Sequence, residues 1–314
     1  MDLQSETACQ FYDDNYHMIF AHQWQRSEKL ILGNKEDCFC RFCGKFAPEV
    51  TFHTVAHAVP EALGNRGLTS AYECDNCNQH FGRGIENHLG EWTKPMRTFS
   101  RIRGKNGIPT LKKGPENSWR IEHKENGFKI DSYETEPIFE MDEKNKHVTF
   151  TLKRGTYVPI AVLKAFVKIG LTLVPKDELS PFREALAWVR EDDHKTSWVK
   201  ESIVFHTMQN GPMPPELLVA YVLRRKAGIV NLPYAYLILG FGNDVYQVML
   251  PAPSIDGTLS GKELKILPFP TPGGPNPVKY GKPKTKLLKM TATDPVKGET
   301  TKIRIGYENL SSTP

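Results

Sequence analysis

The sequence has few cysteines, no apolar run long enough to cross a membrane, and no strong excess of one charge. Its 314 residues include 6 cysteines and carry a formal net charge of +5. The apolar stretch 157–174 is interrupted by Lys164 and Lys168 and is shorter than a typical span, so it predicts a buried helix. The opening segment MDLQSETACQFYDDNYH is acidic and lacks the apolar core of a signal peptide. We therefore expect a soluble, cytoplasmic protein with no membrane association.

The overall composition is that of an ordinary folded protein. Hydrophobic residues make up 39% and charged residues 25% of the chain, which excludes a disordered or fibrous protein. A length of 314 residues allows two or three domains of the usual size. Nothing in the sequence points to an oxidising compartment, so the cysteines are expected as thiols or as metal ligands.

The spacing of the cysteines predicts a metal site. Two C-x-x-C pairs are present: Cys40 with Cys43, and Cys74 with Cys77. Each pair places two sulfurs on one tight turn, and together they supply the four thiolates that fill the tetrahedral coordination of a structural Zn²⁺. Disulfides or a chance arrangement are the alternative. Cys38 has poorer spacing than Cys40 and Cys43, and Cys9 is expected to be an ordinary reduced thiol.

The residues between and after the two pairs predict a strand, a loop, a second strand and a helix. TFHTVAH at 51–57 favours an extended segment, in which His53 and His57 would share one face. Leu68–Glu73 predicts the second strand. After Cys77, apolar residues recur at three- or four-residue spacing, as in a helix. These apolar residues are Phe81, Ile85, Leu89 and Trp92.

This pattern resembles the HNH endonucleases. The resemblance is carried by Cys40 to Gly44, by AHAVPEALGN at 56–65, and by CDNCN at 74–78 followed by Phe81 and Gly82. It implies a ββα-metal fold, stabilised here by the structural zinc. It further implies hydrolysis of DNA phosphodiester bonds with one catalytic divalent cation, Mg²⁺ or Mn²⁺, on the scissile phosphate.

The resemblance also implies roles for individual residues. His57 matches the general base and Asn78 matches a metal ligand at the start of the helix. An imidazole accepts a proton near neutral pH without a large pKa shift, and a cation offsets the charge that develops on the phosphate.

Two positions depart from the family pattern. Ala56 stands where an acidic ligand usually precedes the histidine, and Thr69 or Ser70 stands near the place of the usual asparagine.

Several side chains are candidates to replace the missing acidic ligand. They are His53, Glu73, Asp75 and Glu86. Glu86 follows Asn78 by eight residues and therefore lies near the same helical face. We expect Asn78 and one acidic residue to hold the cation. In the alternative interpretation His53 and His57 are structural and Asn78 only caps the helix.

A basic segment follows the motif. Between Lys94 and Lys124, nine basic residues oppose two acidic ones, so its net charge of +7 exceeds that of the whole chain. The predicted DNA-binding side chains are Arg97, Arg101, Arg103, Lys105, Lys112 and Lys113. Contacts to phosphates would make binding strongly salt-dependent. A solvated charged surface is the alternative. A second segment, Lys279–Arg304, has a net charge of +6.

The remainder of the chain predicts an α+β fold. Residues 118–153 alternate as strands of an antiparallel sheet, with Asn126-Gly127 as a hairpin turn. Residues 157–174 and 177–191 predict two helices. The expected later strands are Ser202–Thr207, Leu217–Leu223, Tyr234–Leu239, Val245–Leu250, Leu287–Thr293 and Lys302–Gly306.

These patterns divide the chain into four parts. We expect an N-terminal lead-in at 1–37 that packs on the nuclease module, an HNH module with its basic loop at 38–117, a small antiparallel β segment at 118–155, and an α+β domain at 156–314. The last part contains no recognisable catalytic constellation. It is expected to bind DNA, sense a signal, bind a protein partner or form a homodimer.

The function predicted for the whole chain is cleavage of DNA, and the resemblance implies a context of antiphage defence. A zinc-containing module that binds nucleic acid without cleaving it is one alternative, because Ala56 cannot bind a cation. A nuclease effector subunit whose C-terminal domain recognises a partner or signal is another.

Overall fold

The computed structural model describes residues 3–23, 29–112, 119–124, 127–132, 138–195, 197–271 and 277–307. The predictions for Lys113 and Asn126 lie outside these residues. The helices are α1 (Leu3–Asn15), α2 (Asp75–Arg83), α3 (Ile85–Phe99), α4 (Pro159–Leu173), α5 (Arg183–Trp188), α6 (Pro253–Asp256) and α7 (Pro277–Tyr280). The first nine strands are β1 (Tyr16–Gln23), β2 (Leu30–Leu32), β3 (Ala56–His57), β4 (Leu68–Ser70), β5 (Leu111–Lys112), β6 (Trp119–Lys124), β7 (Gly127–Ser132), β8 (Phe139–Asp142) and β9 (His147–Lys153). The later strands are β10 (Val204–Met208), β11 (Leu218–Arg225), β12 (Ala235–Phe241), β13 (Asp244–Leu250), β14 (Lys284–Leu287) and β15 (Thr300–Gly306).

Helices and antiparallel sheets together make the fold α+β, as predicted. The largest sheet has six strands in the order β1-β11-β12-β13-β10-β14, and all neighbours are antiparallel. Its edge strand β1 comes from the N-terminal segment, where Tyr16 pairs with Arg225. Tyr12 and Tyr16 are buried in a cluster that also contains Tyr236. The aromatic face of the large sheet, and not the nuclease module, therefore buries these two rings. Later in the same lead-in, β2 pairs with β4, so the expected packing on the module is found for the end of this segment.

Helix α4 lies at the centre of the molecule. All of its residues are buried, and it contacts α3 on one side and strands β12 and β13 on the other. Trp92 of α3 contacts Phe166 of α4 and Tyr246 of β13, with ring centroids 6.2 Å and 5.6 Å apart. One hydrophobic core therefore runs from the cysteine-bearing segment through α4 to the large sheet. Among the described helices, none has both the length and the apolarity needed to cross a membrane.

Two small sheets replace the single one expected from residues 118–153. One has the order β5-β6-β7 and the other β15-β9-β8. Strand β15 thus pairs with β9 and not with the other C-terminal strands. Ile121, Phe150 and Ile303 are buried in one cluster shared by both sheets.

Two predictions in the C-terminal half differ from the structure. The strand expected at Leu287–Thr293 is β14 at Lys284–Leu287. The helix expected at 177–191 is reduced to α5, preceded by 3-10 turns at Lys176–Glu178 and Ser180–Phe182. Pro181 explains the interruption, because its ring cannot occupy a helix interior without loss of a backbone hydrogen bond.

The third three-stranded sheet carries the predicted motif. Its order is β2-β4-β3, with β4 parallel to β2 and antiparallel to β3, and α2 follows. The strand expected at 51–57 is only Ala56–His57, because the backbone of His53 and Thr54 is bound by Asp75 and not by a neighbouring strand. The shared strand face of His53 and His57 is therefore a wrong prediction. The expected helix is broken at Gly84 into α2 and α3.

Candidate active site

The four cysteines of the two C-x-x-C pairs meet at one point. Their sulfur atoms all lie within 4.8 Å of one another, and no other group of three His, Cys, Asp or Glu side chains in the described residues is arranged for a metal. The sulfurs of Cys43 and Cys74 are 3.8 Å apart. A zinc tetrahedron with Zn–S bonds of about 2.3 Å has edges of about 3.8 Å. The donor set therefore fits Zn²⁺. Cys38 lies outside it and donates to the carbonyl of Lys35.

Binding of a zinc ion would change the protonation of the cluster. The hydrogen bond from Cys77 lowers the pKa of Cys40, and the same interaction raises the pKa of Cys77. Burial raises the pKa of Cys74 to about 11. Without a cation the cluster therefore keeps thiol protons at neutral pH, whereas a zinc ion would displace them and stabilise all four thiolates.

The first cysteine pair is fixed to α4 by Arg41. Its Nη1 lies 2.6 Å from the carbonyl oxygen of Leu171, 3.1 Å from that of Thr172 and 2.8 Å from that of Val174. The guanidinium carbon is 3.6 Å from the ring centroid of Tyr72. A cation at the carboxyl end of a helix satisfies its last carbonyls and interacts favourably with its dipole.

His57 ends β3 opposite Thr69 of β4. Its side chain is 25% exposed, and its Nε2 lies 4.0 Å from Oε1 of Glu61. Burial lowers the pKa of His57, although the charges of Glu61 and Glu86 oppose this shift. The imidazole is therefore neutral at neutral pH and reaches solvent, as a general base requires. Sequence analysis did not identify Glu61, although it lies four residues after His57.

A buried asparagine holds the loop between β3 and β4. Asn65 Nδ2 donates to the carbonyls of Val59 and Leu68, at 2.6 Å and 2.8 Å. Its Oδ1 accepts from the backbone N–H groups of Gly67 and Leu68, at 3.2 Å and 2.9 Å. The sequence analysis placed Thr69 or Ser70 near the position of the usual asparagine and assigned no role to Asn65, which the structure shows buried between His57 and the second cysteine pair. The signal was the dipeptide Gly-Asn that closes the motif run.

Glu73 and Glu86 share one buried lysine. The Nζ of Lys168 lies 2.9 Å from Oε2 of Glu73 and 2.9 Å from Oε1 of Glu86. Burial raises the pKa of Glu73 to about 7, against the opposing charge of Lys168. Burial opposes the charge of Lys168, but the two carboxylates raise its pKa overall. Glu73 is fully enclosed, whereas the Glu86 side chain is 18% exposed and its charge acts on His57.

Asp75 occupies a structural position at the start of α2. Its carboxylate accepts hydrogen bonds from the Thr51 hydroxyl and from the backbone N–H groups of His53 and Thr54. Burial opposes the shift, but these hydrogen bonds lower the pKa of Asp75 to about 2. The carboxylate is thus occupied by the 51–54 loop, and the His53 side chain on that loop is exposed.

Asn78 lies in the first turn of α2, half-buried, with its backbone N–H bonded to the carbonyl of Cys74 at 2.9 Å. Its role as a metal ligand stays a prediction. A magnesium-type cation often takes only one or two protein ligands and completes its coordination with water and substrate phosphate oxygens. Within the described residues, the partly exposed carboxylates of Glu61 and Glu86 are those whose charges act on His57.

Arg97, predicted to contact DNA, does not lie on the protein surface. It is buried, with Nη1 3.0 Å from the carbonyl of Ala62 and Nη2 2.8 Å from that of Gly90. Its Nε lies 3.0 Å from the hydroxyl of Thr93. The predicted phosphate contact is therefore corrected to a structural role, in which Arg97 joins α3 to the loop after His57.

The other predicted DNA-binding side chains are accessible where the structure describes them. Arg101, Arg103 and Lys105 are exposed and alternate with buried Ile102 and Gly104. The side chain of Lys112, in β5, is also exposed.

A comparison with protein families found a match within this part of the chain. Residues 40–93 match the family model described as HNH endonuclease. This segment is therefore similar to HNH endonucleases, and we refer to it as the HNH module. The matched segment contains both cysteine pairs, His57, the loop held by Asn65, and α2. No curated protein and no solved structure matches the chain. The HNH module therefore points to a nuclease family, and its four cysteines are able to bind zinc.

Proposed function

We propose that the chain is a metal-dependent endonuclease that hydrolyses phosphodiester bonds of DNA, with His57 as the general base. One observation carries the proposal: the imidazole is partly exposed and neutral within a strand–loop–strand–helix unit that matches the HNH endonuclease family. Four sulfur ligands leave a structural zinc no position for substrate, so the zinc holds the module and takes no part in the reaction.

His57 is proposed to accept the proton of a water molecule as that water attacks phosphorus. The bond from phosphorus to one sugar oxygen then breaks, the leaving oxygen takes a proton from solvent, and the imidazolium returns its proton to solvent. The imidazolium that forms lies 4.0 Å from the Glu61 carboxylate, and the charges of Glu61 and Glu86 both favour it. Asn65 fixes the loop after His57, so the imidazole and Glu61 keep their relative positions. Glu86 and Asn78 are the residues proposed to hold the divalent cation. When bound, this cation would offset the negative charge that develops on the phosphate.

Replacement of His57 by alanine tests the base directly. Loss of a general base typically costs about 10²- to 10⁴-fold in rate. We expect a loss of this size for His57→Ala in plasmid cleavage with added Mg²⁺ or Mn²⁺. His53→Ala is the matched control, because His53 is exposed on the neighbouring loop, and it should retain the wild-type rate. Persistent cleavage by a folded, zinc-loaded His57→Ala protein would remove His57 from the mechanism.

The pH dependence of cleavage tests the surroundings of His57. Because burial lowers its pKa below the ordinary 6.5, the neutral base persists at lower pH, and the acid limb of the rate should have its midpoint below 6.5. Glu61 raises this pKa, so Glu61→Gln should move the midpoint to still lower pH. Arg66 lowers it, so Arg66→Gln should move the midpoint upward. Midpoints that do not move in opposite directions would contradict this electrostatic arrangement.

A second candidate function is binding of nucleic acid without cleavage. It is favoured by Ala56, which is 1% exposed and offers no ligand. Binding of DNA by the zinc-loaded protein, with no cleavage under Mg²⁺ or Mn²⁺, would select this alternative.

A role in antiphage defence, and recognition of a partner or signal by residues 156–314, stay predictions. Survival of phage-challenged cells that express wild-type or His57→Ala protein would test the first of these.

A further inference from the structure

A cavity of about 390 Å³ lies where four segments of the chain meet. They are the loop after His57, the segment that follows α3, strand β6, and the loop between β10 and β11. Polar side chains at its wall are Arg66, Arg101, Arg103, His123 and Glu216. Its volume is within the range of small-molecule sites, roughly 300–1,000 Å³. We refer to this cavity as the arginine pocket.

Among the residues that the structure describes, the wall of the arginine pocket carries more positive than negative charge. Three guanidinium groups face one carboxylate, that of Glu216, which is exposed. No hydrogen bond or ion pair of the Arg101 or Arg103 guanidinium is present among the residues that the structure describes. Burial lowers the pKa of His123, and the charges of Arg101 and Arg103 lower it further, so the imidazole is neutral. The electrostatic potential in the pocket therefore favours binding of an anion.

Arg101 and Arg103 are held in place by their backbone. Ile102 between them is 1% exposed. A Cβ atom added at Gly64 or Gly242 would come within 3.1 Å or 2.9 Å of the Ile102 side chain, so the isoleucine is enclosed from both sides. Its neighbours in sequence, Arg101 and Arg103, are exposed. Arg101 has a φ of 57°, the left-handed conformation that closes α3, and the N–H of Ile102 donates to the carbonyl of Arg97 at 2.9 Å.

Arg66 connects the arginine pocket to the HNH module. Its Nη2 lies 3.0 Å from the carbonyl of Arg103 and 2.9 Å from that of Gly104. Its Nη1 lies 3.5 Å from Oε1 of Glu61, and the same Glu61 oxygen is 4.0 Å from Nε2 of His57. A ligand bound at Arg66 therefore lies one side chain away from the proposed base.

We propose that the arginine pocket binds the phosphate group of a nucleotide, with Arg101 and Arg103 donating hydrogen bonds to its oxygens and Arg66 adding positive charge to the wall. A guanidinium group presents a planar pair of donors that matches phosphate geometry. The cavity is larger than a phosphate alone requires, which leaves room for the attached sugar. The nucleotide has two possible sources. It is either part of the DNA substrate, in which case the inference rests on the proposed nuclease function, or a free nucleotide.

Binding is measured with the His57→Ala protein, so that DNA is not consumed and failure of catalysis does not affect the result. The probes are inorganic phosphate, deoxyadenosine monophosphate, and a short single-stranded oligonucleotide with either a 5′-phosphate or a 5′-hydroxyl. Arg101→Gln with Arg103→Gln should weaken binding of the phosphate-bearing probes by about tenfold or more, since charged hydrogen bonds are lost. Glu216→Gln should strengthen it, because the one opposing charge of the wall is removed.

Lys144→Gln is the control, because Lys144 is exposed in the turn between β8 and β9 and does not line the cavity. It should change affinity less than twofold, on the order of a lost surface charge. Melting temperature and zinc content confirm that each variant is folded. A preference for the phosphorylated oligonucleotide assigns the pocket to DNA. Binding of the mononucleotide without competition from DNA assigns it to a free nucleotide. Unchanged affinity in the double variant, or an equal loss in Lys144→Gln, would overturn the proposal.

Discussion

Removal of zinc is expected to unfold the HNH module and to abolish cleavage. The module has strands of only two and three residues, β3 and β4, and its segment before β3 is held largely by Asp75. These short strands contribute few backbone hydrogen bonds, so a zinc ion on the two cysteine pairs is expected to hold them against the core that the module shares with α4. Structural zinc in small peptides contributes about 10–16 kcal/mol of apparent binding free energy at neutral pH.

Zinc content and stability measured together test this expectation. The wild-type protein should contain one zinc per chain, and Cys43→Ser should lose it together with cooperative melting of the module. Cys38→Ser is the matched control, because this thiol lies close in sequence but outside the cluster. Equal metal content in the two variants would contradict the four-cysteine site. Because a strong chelator also removes zinc, the catalytic cation is tested by dialysis and return of Mg²⁺ at constant zinc content.

The sequence was informative where the determinants are local. Each cysteine pair forms one turn, so its spacing predicted the cluster that the structure shows. The apolar pattern of α4 was also readable, because every face of this helix is buried. His57 falls at the end of a strand as expected, although the strand is shorter than predicted.

The sequence was uninformative where partners are distant along the chain. Lys168 binds Glu86 across 82 positions, and no periodicity indicates such a pair. Arg97 belongs to a basic segment, yet its carbonyl partners come from a loop and a helix that only the fold brings together. Strand β1 joins β11 about two hundred residues later, a pairing that depends on topology alone.

These distant contacts explain how the two halves of the molecule are joined at the site. Arg41 of the HNH module binds the carboxyl end of α4, while Lys168 of α4 binds Glu86 of the module. The C-terminal half therefore contributes directly to the surroundings of His57. A change in the position of α4 would alter the charge near the base, which gives residues 156–314 a physical route to influence activity.

Replacement of Lys168 by methionine should be among the most destabilising single substitutions in the chain. The variant leaves Glu73, which is fully buried, and Glu86 without their shared countercharge. Loss of one partner of a buried ion pair typically costs about 3–5 kcal/mol. Lys164→Met is the matched control one turn away, since Lys164 is equally buried but donates to the backbone carbonyls of Glu191 and Asp193. Its carboxylate partner, Glu191 at 4.0 Å, is partly exposed, so the variant leaves no buried carboxylate without a countercharge. It should cost less, about 1–2 kcal/mol.

The free energies of unfolding of both variants, measured in urea, distinguish the loss of ion pairs from the loss of side-chain packing. Adding Glu73→Gln and Glu86→Gln to Lys168→Met should recover most of the lost stability, because no buried charge then remains unpaired. Equal losses for the two lysine variants, or no recovery in the triple variant, would show that the ion pairs are not responsible.

Any cleavage activity that survives in Lys168→Met reports on the surroundings of His57 as well. Lys168 lowers the pKa of His57, so its removal should shift the acid limb of the cleavage rate to higher pH. A variant that lost stability without this shift would confine Lys168 to a structural role and remove the electrostatic link between α4 and the base.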